Sequence, residues 1–330
     1  MARAVPVPLA LFGAGRIGAI HGRNVAAHPR LRLAHVVDPM SNAAVALAAA
    51  CGARLSSAEE ALADPAVAGV IIASPTDRHL DQLLAAAAAG KTIFCEKPID
   101  LDLTRARGAS GTLAGARLMF GFNRRFDPNF QTLAGRLASG SVGRLETLNI
   151  TSHDPGPPPL DYVRISGGLF RDMTIHDFDT ARWLLGEEPV EVFAAASCLV
   201  DSAIGTAGDV DTAKILLRTA SGKLCLISNS RRSGHGYDQR IEAFGSAGMA
   251  RAGNVSESTV VTWSEAGLVA DRFQNFFLDR YAEAYRLEMD HFAEVLAGAT
   301  PRVGLADALA ALALAEAAEA SARAGRPVRL

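Results

Sequence analysis

Short apolar runs alternate with amphipathic stretches through the first third of the chain. Leu9-Ala10-Leu11-Phe12, Leu33-Ala34-His35-Val36-Val37, Val67 to Ala73, Thr92-Ile93-Phe94-Cys95 and Arg117 to Phe122 each read as a strand covered on both faces. Between them the periodicity predicts helices near Arg16 to Ala27, Ser41 to Ala50, His79 to Ala89 and Leu103 to Leu113. Continuous apolar strands alternating with helices predict a parallel, doubly wound sheet whose ligands meet the carboxyl ends of the strands.

Beyond Gly121 the pattern changes. A helix is expected near Pro128 to Ala138, then a strand from Arg144 to Ser152 and a loop from His153 to Tyr162 too rich in proline for regular structure. A helix carrying Asp172-Met173-Thr174-Ile175-His176-Asp177-Phe178-Asp179 follows. Val190 to Val200, Asp211 to Arg218, Leu224 to Ser230, Arg240 to Phe244 and Thr259 to Trp263 read as consecutive strands broken by Gly, Asp and Ser turns. They imply an open, mainly antiparallel sheet with one face on helices and the other a candidate subunit interface. Helices at Leu278 to Leu296 and Leu305 to Ala324 close the chain. The fold class is therefore α/β: a Rossmann doubly wound parallel sheet over residues 1–122, and an α/β domain with a large open sheet over residues 123–330. The alanine-rich last helix is expected to pack back on the first domain.

Composition narrows the function classes. A length of 330 residues favours two domains, and 49% hydrophobic with 21% charged residues describes an ordinary globular chain. A net charge of -2 gives no electrostatic reason to expect nucleic acid or an anionic membrane as partner. No apolar run reaches the roughly 18 residues of a membrane span, and the run from Val5 to Phe12 leads into a glycine loop, not a cleavage site. Cys51, Cys95, Cys198 and Cys225 are widely spaced without a Cys-x-x-Cys pair. Reduced thiols and a cytoplasmic location are the expectation.

The chemistry lies where strands end. The first strand runs into Gly13-Ala14-Gly15-Arg16-Ile17-Gly18, a complete G-x-G-x-x-G in which the glycines permit close backbone approach and the following helix points its first amides at a pyrophosphate. The second strand ends in Asp38, 20 residues after Gly18, where a carboxylate binds a ribose diol and disfavours a 2′-phosphate. Ser74, Thr76 and His79 follow the third strand. Glu96-Lys97-Pro98 follows the next, and the proline holds Lys97 in an extended pose suited to a substrate oxygen.

Asp172, His176 and Asp179 recur at steps of four and three, which on a helix places an imidazole between two carboxylates. The apolar neighbours Met173, Ile175 and Phe178 indicate a packed helix whose polar stripe faces a cleft. A rival reading makes Asp172 and His176, with His153 or Asp154, ligands of a divalent ion. Lys97 is a poor neighbour for a metal, so no metal is expected.

With these motifs in hand, the chain resembles the Gfo/Idh/MocA oxidoreductases over essentially its whole length. Gly121-Phe122-Asn123-Arg124-Arg125-Phe126-Asp127, Gly167-Gly168 and the run from Asp172 to Asp179 are most similar to the inositol 2-dehydrogenases within that family. The resemblance implies NAD as hydride acceptor, catalysis by Lys97, Asp172 and His176, and a homotetramer packed through the open sheets. It implies cofactor contacts at Gly13, Gly15, Arg16, Ile17, Gly18, Asp38, Ser74, Thr76, His79, Glu96 and Lys97. Substrate contacts are implied at Lys97, Asn123, Arg124, Asp154, Asp172, His176, Asp179 and Tyr237. At Asp154 and Asn123 the chain departs from some inositol dehydrogenases, which carry Asn and Met there. A small uncharged cyclic polyol, myo-inositol first, is the expected substrate, with another inositol isomer or an aldose as alternatives. A non-enzymatic ligand-sensing regulator would not need Lys97, Asp172 and His176 together.

Overall fold

Burial follows the apolar runs. The computed structural model describes residues 5–39 and 42–330, in which Leu9, Leu11, Val70, Ile71, Ile93 and Phe94 have no solvent exposure. Each such side chain contributes roughly 1.5–3 kcal/mol by leaving water. The chain divides into two compact units: one reaches Phe126 and resumes over Ala284–Leu312, and the other comprises Asp127–Glu283 and Ala313–Leu330.

The first unit is built from β1 (Val7–Phe12), α1 (Arg16–Ala27), β2 (Leu31–Val37), α2 (Asn42–Cys51), β3 (Arg54–Leu55), α3 (Ala58–Ala63), β4 (Gly69–Ile72), α4 (His79–Ala88), β5 (Thr92–Glu96), α5 (Leu103–Leu113) and β6 (Leu118–Gly121). Ser41, the expected start of the second helix, lies outside the described residues. The sheet order is β3-β2-β1-β4-β5-β6, parallel throughout. The chain reverses its direction of winding between β1 and β4, which is where such sheets bind nucleotides. The two-residue β3 and the short α3 are additions to the expected set. Helix α3 starts at a capping box: Ser57 Oγ accepts the Glu60 N–H at 3.1 Å, and Glu60 Oε2 accepts the Ser57 N–H at 2.9 Å.

The second unit opens with α6 (Pro128–Ala138) and β7 (Leu145–His153). The proline-rich loop is shorter than expected, because Leu160–Ile165 forms a helix, α7, with Pro159 as its N-cap at φ -56°. Proline presets the backbone angle that a helix start requires. The helix expected to carry Asp172 begins as a π-helical turn over Phe170–Thr174, and α8 proper spans Ile175–Leu185. Gly167 and Gly168, at φ +84° and +81°, turn the chain into it, and the Leu169 N–H donates to Asp209 Oδ1 at 3.1 Å. Gly186, in the left-handed region, ends α8.

After α8 come β8 (Pro189–Ser197), α9 (Ser202–Thr206), β9 (Thr212–Thr219), β10 (Leu224–Ser230), β11 (Asp238–Gly245), β12 (Gly248–Ala252), β13 (Val261–Ser264) and β14 (Gly267–Ala270). The strand expected at Thr259 to Trp263 does not join the large sheet; β13 pairs with β14 as a separate two-stranded ribbon. The expected helix from Leu278 to Leu296 is interrupted at Tyr281 into α10 (Phe277–Arg280) and α11 (Ala282–Leu296). At the break Tyr281 leaves helical geometry with φ -113° and ψ 15°; its ring is buried and its hydroxyl donates to Gln239 Oε1 at 3.0 Å. Last are α12 (Leu305–Ala324) and β15 (Val328–Arg329), giving a seven-stranded order β12-β11-β7-β10-β9-β8-β15. Every pairing in it is antiparallel except β7 beside β10. Among the described residues no helix is long and apolar enough to cross a membrane.

Candidate active site

In the first unit the glycine loop joins β1 to α1. Gly13 has φ +97°, and a Cβ there would lie 2.5 Å from Ala73 O; a Cβ on Gly18 would lie 2.0 Å from Gly13 O. Packing of the loop itself therefore demands both glycines. Gly15 differs, since a Cβ on it would meet no atom within 4 Å. Open space above this N-cap, on a helix with no side-chain cap and no acidic residue in its first turn, suits an anion approaching the Arg16-Ile17 end of α1.

Asp38 Oδ2 accepts the Ala14 N–H at 2.8 Å, which fixes the carboxylate beside the loop. These residues fit a dinucleotide with an unmodified ribose. Like charges placed together cost several kcal/mol, so catalytic efficiency with NAD should exceed that with NADP by at least about 10²-fold. Equal efficiencies in steady-state assays would contradict this role for Asp38.

The ends of β4 and β5 are tied to each other. His79, 1% exposed, places Nδ1 2.7 Å from Pro98 O and Nε2 2.9 Å from Ser74 O, while Ser74 Oγ donates to Gln82 at 2.7 Å. Thr76 begins a 3₁₀ turn beside them. Burial pushes the His79 pKa down against the two carbonyls. His79 thus braces the turn that carries Lys97, whose bond to Pro98 is cis. Asn123 and Arg124 lie buried in a 3₁₀ turn after β6.

Glu96 is turned inward. Its Oε1 lies 2.7 Å from His21 Nε2, and the His21 ring packs edge-on against Phe94 and Tyr285. Glu288, fully buried, lies near both, and its two carboxylate oxygens have no hydrogen-bond partner among the described residues. Burial, then the charge of Glu96, push the Glu288 carboxyl well above the usual carboxylate range. A carboxyl raised on folding contributes stability that is complete below its unfolded pKa of about 4.3 and is lost as pH rises toward the folded value. Glu288→Gln, neutral at every pH, should therefore flatten the decline of the unfolding temperature as pH rises above about 4.3. Identical pH slopes for variant and parent would contradict a raised Glu288.

In the second unit the π turn presents Asp172. π turns are rare and tend to sit at functional sites. Asp172 Oδ1 accepts the Tyr162 hydroxyl at 2.8 Å, and Oδ2 accepts from Arg231 Nη2 at 2.9 Å. Arg231 Nη1 also donates to Asp154 Oδ2, at 3.2 Å. The positive charge beside both carboxylates is thus an arginine, and His153 of the rival metal set turns to Ser228 Oγ, 2.8 Å away. Among the described residues, the grouping with metal-ligand types close together is His21, Glu96 and Glu288.

His176 lies in the first turn of α8, half-buried. A buried polar row anchors this helix from below. Ser152 on β7, Asn229 on β10 and Gln239 on β11 are cross-strand neighbours. Asp177 accepts from Ser152 Oγ at 2.7 Å and Asn229 Nδ2 at 2.8 Å, and Thr174 Oγ1 donates to Asn229 Oδ1 at 2.6 Å. The buried bonds from Ser152 and Asn229 to Asp177 and Thr174 fix the orientation of the segment bearing Asp172 and His176. Asp179 is fully buried, 3.7 Å from Arg182 Nη1, and Tyr237 is buried with its ring edge-on to Tyr281. Arg231 and Tyr162, which bond Asp172, and Asp209, whose carboxylate feels its charge, are neighbours that sequence reasoning missed. Arg231 would have been found only from the parallel pairing of β10 with β7, which places its strand end beside Asp154.

The description "Oxidoreductase family, NAD-binding Rossmann fold" matches residues 7–122, and "GFO/IDH/MocA C-terminal domain" matches residues 130–251. The chain is 47% identical to an inositol 2-dehydrogenase of Rhizobium meliloti, covering 98% of this chain and 99% of that protein. It is 44% identical to a myo-inositol 2-dehydrogenase of Thermotoga maritima over 98% of each. A crystal structure of a myo-inositol dehydrogenase from Corynebacterium glutamicum superposes with a TM-score of 0.95 at 42% identity, over 99% of both chains. Glycine loop, Asp38, the Glu96-Lys97-Pro98 turn and the Asp172 to Asp179 segment are thus carried on the fold of one lineage, and the chain belongs to the Gfo/Idh/MocA family of NAD-dependent oxidoreductases.

Proposed function

We propose that this chain oxidises a neutral cyclic polyol, myo-inositol first, at one ring carbon to the ketone 2-keto-myo-inositol, with the hydroxyl proton passing to His176. The observation that carries the reading is the glycine loop with Asp38 and the pinned Asp172 one step of four before His176, in a chain similar from end to end to proteins named inositol 2-dehydrogenase and myo-inositol 2-dehydrogenase. NAD, when bound, supplies the hydride acceptor.

His176 in its neutral form removes the hydroxyl proton, and an imidazole's ordinary pKa of about 6.5 suits a base near neutrality. Asp172, already accepting from Tyr162 and Arg231, orients the imidazole and stabilises the imidazolium. Cationic Lys97 favours the developing alkoxide. Asn123, Arg124, Asp154 and Tyr237 complete the substrate contacts in this reading, whereas Asp179, expected among them, is fully buried beside Arg182; residues 1–122 serve the cofactor and 123–330 the substrate and subunit contacts. An acidic substrate would meet Asp154 and Asp172, whose shared cation Arg231 is already engaged, so an uncharged ring fits better. Inositol deuterated on the oxidised carbon, incubated with protein and NAD, should yield monodeuterated NADH and a cyclic ketone. NADH free of label would contradict oxidation at that carbon.

A homotetramer belongs to the same reading. On the open sheet Phe193, Leu216 and Leu226 are cross-strand neighbours and all exposed, with Phe244 and Met249 paired farther along the face. An apolar belt of this kind suits burial against a second copy, and closed symmetry extends the pair to a dimer of dimers. Light scattering should give four subunits, and Leu226→Lys should dissociate them; a monomeric parent at assay concentration would contradict the assembly. Four free cysteines suit a reducing cytoplasm.

A further inference from the structure

We infer that Arg231 is a positioning residue for the proposed reaction, clamping Asp172 as an acceptor-only anion toward His176; the inference rests on the dehydrogenase reading above. The clamp begins in the sheet. Strands β7 and β10 run parallel with Ser230 beside His153, so Asp154 and Arg231 leave the sheet side by side. Backbone bonds hold both in place, from Asp154 N to Ser230 O at 2.9 Å and from Arg231 N to Asp211 O at 2.8 Å. The guanidinium is buried, 4% exposed, and reaches Asp172 at 2.9 Å and Asp154 at 3.2 Å through different nitrogens. A planar cation with two nitrogens committed to two different carboxylates is itself held in one orientation, and it fixes one oxygen of Asp172. Tyr162 takes the other Asp172 oxygen at 2.8 Å, so both oxygens are held.

The charge balance gives the clamp its consequence. Arg231 from the end of β10 and Tyr162 from α7 bond Asp172, Asp154 from the loop after β7 shares that arginine, Asp209 from the loop before β9 feels the Asp172 charge, and His176 follows four residues on in α8. Burial pushes the Asp209 carboxyl up, and Asp172 pushes the same way, so the carboxylates here already compete for one cation. Burial lowers the Arg231 pKa, but Asp172 and Asp154 more than offset it, so the guanidinium stays charged. Without that cation, Asp154 and Asp209 would favour protonation of Asp172, and a protonated carboxyl can donate where His176 needs an acceptor.

The test compares Arg231→Gln and Arg231→Lys with the parent holoenzyme for NAD affinity, unfolding temperature and the pH profile of kcat/KM on myo-inositol. Arg231→Gln should lower kcat by about 10²-fold, the scale of a small misplacement of a reacting group, and move the acid limb to higher pH while NAD affinity holds. Arg231→Lys, which keeps the charge and loses the fork, should restore the acid limb and only part of kcat. A packing role alone would lower the unfolding temperature and leave the limb where it was. Should Arg231→Gln fail to fold, Tyr162→Phe removes the other bond to Asp172 from an exposed side chain and should also move the limb upward. An unmoved limb in Arg231→Gln, or in Tyr162→Phe where that variant stands in for it, overturns the role of Arg231 while parent turnover stands. Absence of parent turnover on any cyclitol overturns the dehydrogenase reading and this role with it.

Discussion

His176→Ala is expected to lower turnover on the cyclitol by about 10²- to 10⁴-fold, the usual contribution of a positioned acid/base group. Asp172→Asn and Lys97→Ala should each lose at least about 10²-fold for a related reason: the first leaves the imidazole without its anionic acceptor, and the second leaves the alkoxide without its cation. NAD affinity should stay nearly unchanged in all three, because the glycine loop and Asp38 are untouched. The losses should also fail to add. Once His176 is gone there is no imidazolium for Asp172 to stabilise, so His176→Ala/Asp172→Asn should be little worse than His176→Ala alone. Steady-state kinetics with cofactor titrations check all of this, and a near-normal rate for His176→Ala would require a different base.

Asp127→Ala should destabilise the fold by about 4 kcal/mol, through two of its roles at once. As N-cap of α6, its Oδ1 accepts the N–H groups of Asn129 and Phe130, each at 3.0 Å. Its other oxygen pairs with Arg280, and both side chains are 2% exposed. Arg280 in turn lies over the rings of Phe130 and Tyr281, so the arginine cannot swing out to water without opening that cluster. Removing one partner of a buried ion pair leaves the other charge uncompensated, which is the larger part of the expected cost. Asp127→Asn keeps the cap and should cost less than Asp127→Ala. Denaturant unfolding decides the matter, with a loss below about 1 kcal/mol for Asp127→Ala contradicting the argument.

How much of this was legible in the sequence depended on how local each signal is. The helices Arg16–Ala27, Leu103–Leu113, Pro128–Ala138 and Leu305–Ala324 have the bounds their periodicity predicts, because caps such as Asp102 and Asp127 are encoded within a turn of the helix they start. The glycine loop was equally legible, since its constraints lie within six residues of chain. Strand partners were not. The pattern at Thr259 to Trp263 announces a strand but not that its partner is the next segment, and nothing local says that β10 lies parallel to β7.

The same limit hid Arg231, whose partners Asp154 and Asp172 stand 77 and 59 residues away in sequence. The π turn escaped for a different reason. Its buried positions Phe170, Met173 and Thr174 satisfy a helical spacing, and its tertiary contacts, Thr174 to Asn229 and Leu169 to Asp209, reach partners 55 and 40 residues away. The step of four from Asp172 to His176 is legible in the chain, while the π turn beneath Asp172 and the cation and hydroxyl that hold it came only with the fold.

The most direct measurement is NADH formation by the purified protein, with NAD and a panel of inositol isomers and aldoses. The account predicts robust NADH production with myo-inositol and weaker or no production with aldoses. NADH from an aldose with none from any inositol isomer would contradict it.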